Sequence, residues 1–214
     1  MHYLIYIKDI LYSFVYNVCF LFESFTMKRL FAYIIISLLS INQALAVDTE
    51  QLTQNSRAAI KMLGGELKAT LQASMKANGP VESIAVCNAD APMIASKVSK
   101  VKGMTVERRS LKYRNLANKP DAWETSVLEQ FEQRKRKGEA VKTMEFSEVT
   151  EHDGQKAFRY MKAIPTGEVC LKCHGSNIQQ PIADKIKSFY PDDMATGFKK
   201  GDIRGAFSVI QAVD

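Results

Sequence analysis

The hydrophobic period of this chain changes near residue 140, and that change limits the fold more than any other feature of the sequence. Before that point the apolar residues recur at helical spacing, beginning with Leu52, Ala59, Leu63, Leu67 and Leu71. Asp48 precedes this series and stands three residues before Gln51, which resembles a helix cap. The sequence therefore predicts a long N-terminal helix that stops at Asn78-Gly79-Pro80.

A second helical stretch follows from Pro80 and contains an interruption. We expect the interruption around Cys87-Asn88 and a new start at Asp90-Ala91-Pro92, because proline suits the first turn of a helix. This helix should end by Gly103. Three further elements are predicted before residue 140: a strand over 104–110, a turn at 118–121 and an amphipathic helix over 122–137.

After residue 140 the pattern becomes strand-like. Residues 141–150 and 156–164 are both predicted strands, and His152-Asp153-Gly154-Gln155 between them contains the Asp-Gly pair of a hairpin turn. Residues 204–213 form a last alternating segment rich in β-branched side chains. Helices come first and an antiparallel sheet of up to four strands follows, so the predicted fold class is α+β.

Residues 27–46 carry the three-part pattern of a secretory signal peptide. The segment has a basic start at Met27-Lys28-Arg29, an apolar middle and a small-residue exit at Ala44-Leu45-Ala46. We interpret residues 1–26 as upstream sequence included in the reading frame, and 47–214 as the mature domain. The predicted location is the periplasm.

The competing interpretation of the N-terminal region is an uncleaved membrane anchor or a helical hairpin. The first apolar run, residues 10–22, is shorter than the roughly 20 residues that a bilayer crossing needs. Nothing after residue 47 is apolar enough to span a membrane, so we expect no stable membrane insertion after signal cleavage.

Composition excludes some classes of protein. With 46% hydrophobic and 24% charged residues the chain should form a packed core and is not expected to be disordered. Its 29 Lys and Arg against 23 Asp and Glu give a formal charge of +6. A modest excess spread over a domain mainly affects solubility, so no nucleic-acid partner is predicted.

The chemistry of the chain is concentrated in Cys170-Leu171-Lys172-Cys173-His174. This C-x-x-C-H spacing is that of covalent c-type haem attachment, in which two thiols reach the two vinyl groups of the porphyrin and the histidine binds the iron. Zinc would want four ligands, and beside this cluster the mature chain offers only Cys87, His152 and carboxylates. A redox C-x-x-C would sit in a βαβ context, which the pattern lacks. The motif therefore predicts one covalent haem c, with His174 as an iron ligand.

Cys87 is the only thiol left in the predicted mature chain once Cys170 and Cys173 form thioethers. It precedes a predicted helix start, where the helix dipole favours the thiolate that binds metals, although a small buried apolar role is the ordinary alternative. From the residues alone, the sixth position on the iron stays open between Cys87, a methionine, His152 and no ligand. Most of the methionines should fill the core; those in the predicted mature chain are Met62, Met75, Met93, Met104, Met144, Met161 and Met194.

Four motifs in order resemble a known family over roughly residues 50–213. They are Ala85-Val-Cys-Asn-Ala-Asp-Ala-Pro92, Arg109-Ser-Leu-Lys-Tyr-Arg-Asn115 with Asn118-Lys-Pro-Asp121 and Trp123-Glu124, Cys170-Leu-Lys-Cys-His-Gly175, and Gly201-Asp-Ile-Arg-Gly-Ala-Phe-Ser208. Together they are similar to the single-haem c-type (Tll-type) family, first described from a cyanobacterial protein and long catalogued as a domain of unknown function.

The resemblance implies a PAS-like fold, with a five-stranded antiparallel sheet and flanking helices. It also implies one haem with His174 as the proximal iron ligand and Cys87 as the distal one. An anionic thiolate stabilises ferric iron, and two filled axial positions make a poor catalyst. We therefore expect electron transfer or redox poising with a redox partner protein, and no enzyme activity. The alternative is a redox- or gas-responsive sensor module that loses Cys87 and passes its signal to a separate signalling protein.

Arg109 and Arg114 lie in one of these motifs, together with Lys112 and Asn115. Haem propionates need charged or amide donors, so we expect Arg109 and Arg114 to contact the cofactor. The alternative is that these polar side chains only cap strands and bind water.

Overall fold

The computed structural model describes residues 47–213. The predicted upstream segment and signal peptide, residues 1–46, lie outside the described residues. No helix within 47–213 is both long enough and apolar enough to cross a membrane.

The first element is a long helix, α1 (Thr49–Ala85), and it begins as predicted. The Asp48 carboxylate accepts a hydrogen bond from the Gln51 backbone N–H at 3.0 Å. The predicted stop at Gly79 is a kink: Gly79 has a φ of 76°, after which the chain resumes helical geometry. Glycine tolerates this conformation and the following Pro80 has no N–H to donate, so the helix breaks and restarts there.

A π-helical turn (Val86–Asp90) and a second helix, α2 (Ala91–Lys102), follow directly. The π turn is the interruption that the sequence predicted around Cys87. Gly103 ends α2 in the left-handed conformation, with a φ of 64°.

The sheet has four antiparallel strands in the spatial order β1-β4-β3-β2. Their bounds are β1 (Thr105–Arg109), β2 (Glu145–His152), β3 (Gln155–Pro165) and β4 (Ile203–Ala212). The β2–β3 hairpin turns through Asp153 and Gly154, both at positive φ as a tight two-residue hairpin requires. The α+β class is confirmed. The resemblance implied five strands, whereas the described residues form four. The loop after β1 does not add a strand to the sheet, because it forms a 3₁₀ turn (Leu116–Asn118).

Helices cover both faces of this sheet. The helix α3 (Ala122–Arg136) begins at a capping box of Asp121 and Glu124 and packs on one face. The core on the α3 face consists of Val127, Leu128, Phe131, Met144, Met161, Ala163, Ile203 and Ala206. The core on the opposite face, under α1 and α2, consists of Ala59, Ile60, Leu63, Val98, Val106, Phe158, Tyr160 and Val209.

Two further helices lie between β3 and β4. They are a single turn, α4 (Leu171–His174), and α5 (Gln180–Phe189). Ile182 and Ile186 of α5 pack against Ile84 near the end of α1. No sequence pattern predicted α5, which packs against the end of α1 that leads into the π turn with Cys87.

Candidate functional site

Cys170, Cys173 and His174 lie in one turn of the chain. A 3₁₀ turn (Glu168–Cys170) runs directly into α4. Residues three and four apart on such a turn lie on the same side, so the two thiols and the imidazole share one side of it. All three residues line one cavity, and both thiols are free. The structure therefore brings the three reactive side chains of the motif together.

Gly175 ends this turn because no larger residue fits. Its N–H donates to the Leu171 carbonyl at 3.0 Å. A Cβ atom at position 175 would stand 2.6 Å from that same oxygen. Any side chain would therefore displace the end of α4, and with it the neighbouring His174.

The His174 imidazole is held in a single tautomer. Its Nδ1 atom lies 2.7 Å from the Ala195 carbonyl oxygen. A carbonyl only accepts, so Nδ1 carries the proton and Nε2 keeps a free lone pair. Burial lowers the pKa of His174 well below its ordinary value, and the charges of Arg204 and Arg114 lower it further. The ring is therefore neutral near pH 7, which is the form that binds a metal.

A buried ion pair between Arg114 and Asp193 supports this arrangement. Arg114 donates from Nε to Asp193 Oδ1 at 3.1 Å and from Nη2 to Oδ2 at 3.0 Å. The same Nη2 donates to the Cys173 carbonyl at 2.6 Å and to the Ala195 carbonyl at 3.3 Å. Asp193 also accepts from the Ala195 N–H at 2.9 Å. The pair therefore ties the cysteine motif to the segment whose carbonyl orients His174.

Arg109 borders the same cavity, but its guanidinium is engaged with groups of the protein. Nε donates to Glu124 at 2.9 Å, Nη1 donates to the Ala117 carbonyl at 2.6 Å, and Nη2 bonds Glu107. Arg109 and Arg114 thus both have protein acceptors already. It stays a prediction that these two side chains bind carboxylates of a ligand. Their observed contacts show that both of them hold neighbouring segments of the protein in position.

The cavity has a volume of about 270 Å³ and a largely apolar wall. Leu67, Leu71 and Met75 follow each other at four-residue intervals, so α1 presents them on one side. Further apolar lining comes from Ile84, Ile164, Val169 and Phe207. An apolar pocket with a few converging polar groups is the usual form of a small-molecule or cofactor site.

Cys87 reaches this cavity from the π turn between α1 and α2. It lines the cavity together with Cys170, Cys173 and His174. Burial raises the pKa of the Cys87 thiol, while the charges of Arg108, Arg114 and Arg204 act to lower it. A π turn inserts an extra residue into the helical repeat and is frequent at functional sites. The structure therefore brings Cys87 and the cysteine motif, far apart in sequence, to one cavity.

The other candidates for a sixth iron ligand are distributed differently. Among the methionines of residues 47–213, only Met75 lines the cavity; Met144 and Met161 are core residues, as expected of most. His152 closes the β2–β3 hairpin, where its Nε2 lies 3.5 Å from Asp153 Oδ2, and it does not line the cavity. Within the same range no three His, Cys, Asp or Glu side chains lie close enough together to hold one metal ion, so Cys170, Cys173 and His174 share the cavity wall and do not meet at one point.

Sequence reasoning missed two other arginines that line the cavity, Arg108 and Arg204. Burial lowers the pKa of both side chains, that of Arg204 to about 10. A signal for Arg108 was available, because it stands two residues after Val106 on β1 and so shares its side of the strand. Val106 packs in the core under α1. Arg108 therefore lies on the α1 side of the sheet, where the cavity is, whereas the guanidinium of Arg109 bonds Glu124 of α3.

Comparison with known proteins gives one family and one solved structure. The chain is similar to the crystal structure of the cyanobacterial heme-protein Tll0287, with 25% sequence identity and a TM-score of 0.59, over 79% of this chain and 98% of that one. No curated protein matches the chain. The model of the Tll0287-like family matches residues 36–212. The chain therefore belongs to the Tll0287-like family.

Proposed function

We propose that this protein is a periplasmic, single-haem c-type cytochrome-like protein that transfers electrons or poises a redox partner. The observation that carries the proposal is that one cavity is lined by Cys170, Cys173, His174 and Cys87. The similar solved structure is of a heme-protein, which supports haem as the cofactor of this chain.

The residues of the cavity fit a haem by their chemistry. Cys170 and Cys173 supply two free thiols on one side of a turn. Each thiol would add across one vinyl group: the sulfur bonds one vinyl carbon, the thiol hydrogen goes to the other, and no oxidant or reductant is needed. The apolar side chains of α1 would cover the ring and exclude water. When bound, the haem iron supplies reversible one-electron chemistry.

His174 and Cys87 are the proposed axial ligands. The hydrogen bond from Nδ1 of His174 to the Ala195 carbonyl leaves Nε2 free and increases the basicity of the ring. Burial raises the pKa of the Cys87 thiol, and the positive charges of Arg108, Arg114 and Arg204 oppose this rise by favouring the thiolate. A thiolate ligand stabilises ferric iron, so we propose a low reduction potential. Two filled axial positions leave no site for a substrate on the iron, and for this reason we propose no enzyme activity.

The second candidate function is a redox- or gas-responsive sensor, and the burial of Cys87 favours it. Burial raises the pKa of this thiol. A ligand that is more stable as a neutral thiol would leave more easily when the iron is reduced. The vacated position could then bind a diatomic gas, and a separate signalling protein would receive the signal.

Covalent attachment is the first test of the proposal. The chain is produced in the periplasm with c-type maturation and compared with Cys170→Ala and Cys173→Ala variants. We expect a haem-stained band that survives denaturing electrophoresis in the wild type and is weakened in each variant. Release of haem from the wild type under denaturation would refute c-type attachment.

The two candidate functions are separated by the ligands of reduced iron. Absorption and electron paramagnetic resonance spectra of the oxidised protein should report low-spin iron with a thiolate ligand. For electron transfer, the reduced protein should stay six-coordinate and ignore carbon monoxide, because retained ligands keep reorganisation small. Rapid carbon monoxide binding by the reduced wild type would favour the sensor.

A further inference from the structure

Arg108 and Arg204 are half-buried, and they differ from most arginines of residues 47–213 in having no acidic partner there. Within residues 47–213 neither of them forms an ion pair. By contrast, the arginines paired with carboxylates are Arg57, Arg109, Arg114, Arg134 and Arg159. Arg136 is also without an ion pair in that range, but it is exposed on the surface. Two half-buried guanidinium groups without an ion pair in that range therefore line one cavity.

The surroundings of Arg204 orient its side chain without neutralising it. Nη1 donates to Ser110 Oγ at 3.1 Å and to the Lys112 carbonyl at 3.2 Å. The guanidinium also lies 5.3 Å from the centre of the Phe198 ring. Nη2 and Nε have no acceptor within residues 47–213, and Arg108 has no side-chain hydrogen bond in that range. Both side chains thus keep donors for a ligand.

Two like charges in one apolar cavity are unfavourable unless an anion joins them. Burial lowers the pKa of both arginines, and each of Arg114 and Arg108 lowers that of Arg204 further. The nearby Asp193 carboxylate acts to raise the pKa of Arg204, but it is already paired with Arg114. The ligand that fits this cavity therefore has an apolar body, to contact Leu67, Leu71 and Met75, and more than one negative group.

We infer that Arg108 and Arg204 bind the two propionate carboxylates of the porphyrin, as a pair of charge-assisted contacts that orient the ring in the cavity. This inference rests on the proposed haem function. It assigns the carboxylate-binding role to Arg108 and Arg204, whereas Arg109 and Arg114 hold protein groups.

Neutralising the carboxylates of the ligand tests the inference. The full chain, made without c-type maturation and with its thiols reduced, is titrated with haem and with haem dimethyl ester, which has the same ring and no propionate charge. The wild type should bind haem about tenfold or more tightly than the ester, since hydrogen bonds between charged groups have about this effect. This preference should shrink in Arg108→Gln and Arg204→Gln and vanish in the double variant.

Arg136→Gln is the matched control, because it removes the same charge from an exposed position and should keep the preference for haem. Equal affinity of the wild type for haem and ester would overturn the inference alone. An equal loss of affinity for haem and for the ester in Arg108→Gln and Arg204→Gln would also overturn the inference. The arginines would then affect binding through the fold or through Cys87, and not through the propionates. Failure of the wild type to bind haem at all would refute the proposed function as well.

A second measurement uses the haem-loaded protein and does not depend on reconstitution. A cation within 4–6 Å lowers the pKa of a carboxyl group by about 1–3 units. The midpoint potential becomes independent of pH once the propionates are fully ionised. Loss of Arg108 or Arg204 should therefore shift this pH upward by about one unit or more. An unchanged pH profile in both single variants, matching that of Arg136→Gln, would overturn the inference.

Discussion

Replacing Arg114 with Gln should destabilise the protein more than most single substitutions. Arg114 and Asp193 are 7% and 9% exposed, so the substitution leaves a buried carboxylate without its cation. Removing one partner of a buried ion pair costs about 3–5 kcal/mol in the free energy of unfolding. For a domain of this size that corresponds to a fall in Tm of about 6–20 °C.

The same substitution should also loosen the orientation of His174. Arg114 Nη2 donates to the carbonyls of both Cys173 and Ala195, and the Ala195 carbonyl accepts from His174 Nδ1. In the haem-loaded variant, low-spin signals should broaden in the electron paramagnetic resonance spectrum because the imidazole ring samples several angles.

Thermal unfolding followed by circular dichroism measures the stability change. The haem-free chain is compared as wild type, Arg114→Gln, Asp193→Asn and the double variant, with Arg136→Gln as the exposed control. Because the two side chains contact each other directly, the double variant should cost less than the sum of the single variants. A loss for Arg114→Gln within about 0.5 kcal/mol, which is typical of surface substitutions, would refute this account of the ion pair.

Three further predictions concern the fold and the ligands. The pKa of Glu145 is lowered to about 2, mainly by a hydrogen bond from Arg57. The ionised Glu145 should therefore contribute its full stabilisation above pH 4.5, the ordinary pKa, and lose it as the pH falls through 2. Glu145→Gln should flatten this part of the pH–stability curve in denaturant unfolding, and an unaltered curve would contradict the assignment. Cys87→Ser should retain haem and raise the midpoint potential by on the order of 100 mV or more in a redox titration, whereas an unchanged potential would exclude Cys87 as a ligand. Gly175→Ala should lower Tm and haem incorporation because its Cβ would stand 2.6 Å from the Leu171 carbonyl, while Gly65→Ala, with no atom within 4 Å, should leave both intact or raise Tm.

Local patterns were sufficient to predict most of the secondary structure. The cap at Asp48, the break at Gly79, the interruption at Cys87 and the Asp153-Gly154 turn all depend on residues close together in the chain. Such features follow from backbone preferences and short-range hydrogen bonds, which the sequence states directly. The helix α5 was not predicted, because its only buried apolar residues are Ile182 and Ile186, which are too few to define a helical period.

The motif and the resemblance together named the cysteines and the histidine that line the cavity. The C-x-x-C-H spacing was enough to predict that Cys170, Cys173 and His174 act together at one haem site, because covalent attachment uses this spacing. Only the resemblance singled out Cys87 among several candidate ligands. Tertiary structure narrowed that set, since Cys87 and Met75 line the cavity and His152 lies in the distant hairpin of β2 and β3.

By itself the sequence determined the order of the elements, the α+β class and the chemistry of the cysteine motif, because all of these depend on local spacing. Tertiary structure alone decided which of two neighbouring arginines lies on the cavity side of the sheet and which one bonds α3. Alternation along β1 predicts that Arg108 and Arg109 lie on opposite faces of the sheet, but it does not predict which face lines the cavity. That choice depends on where α1 and α3 pack, and packing joins residues that are far apart in the chain. The guanidinium of Arg109 bonds Glu124 of α3, and Arg108 lies on the side of α1 and the cavity.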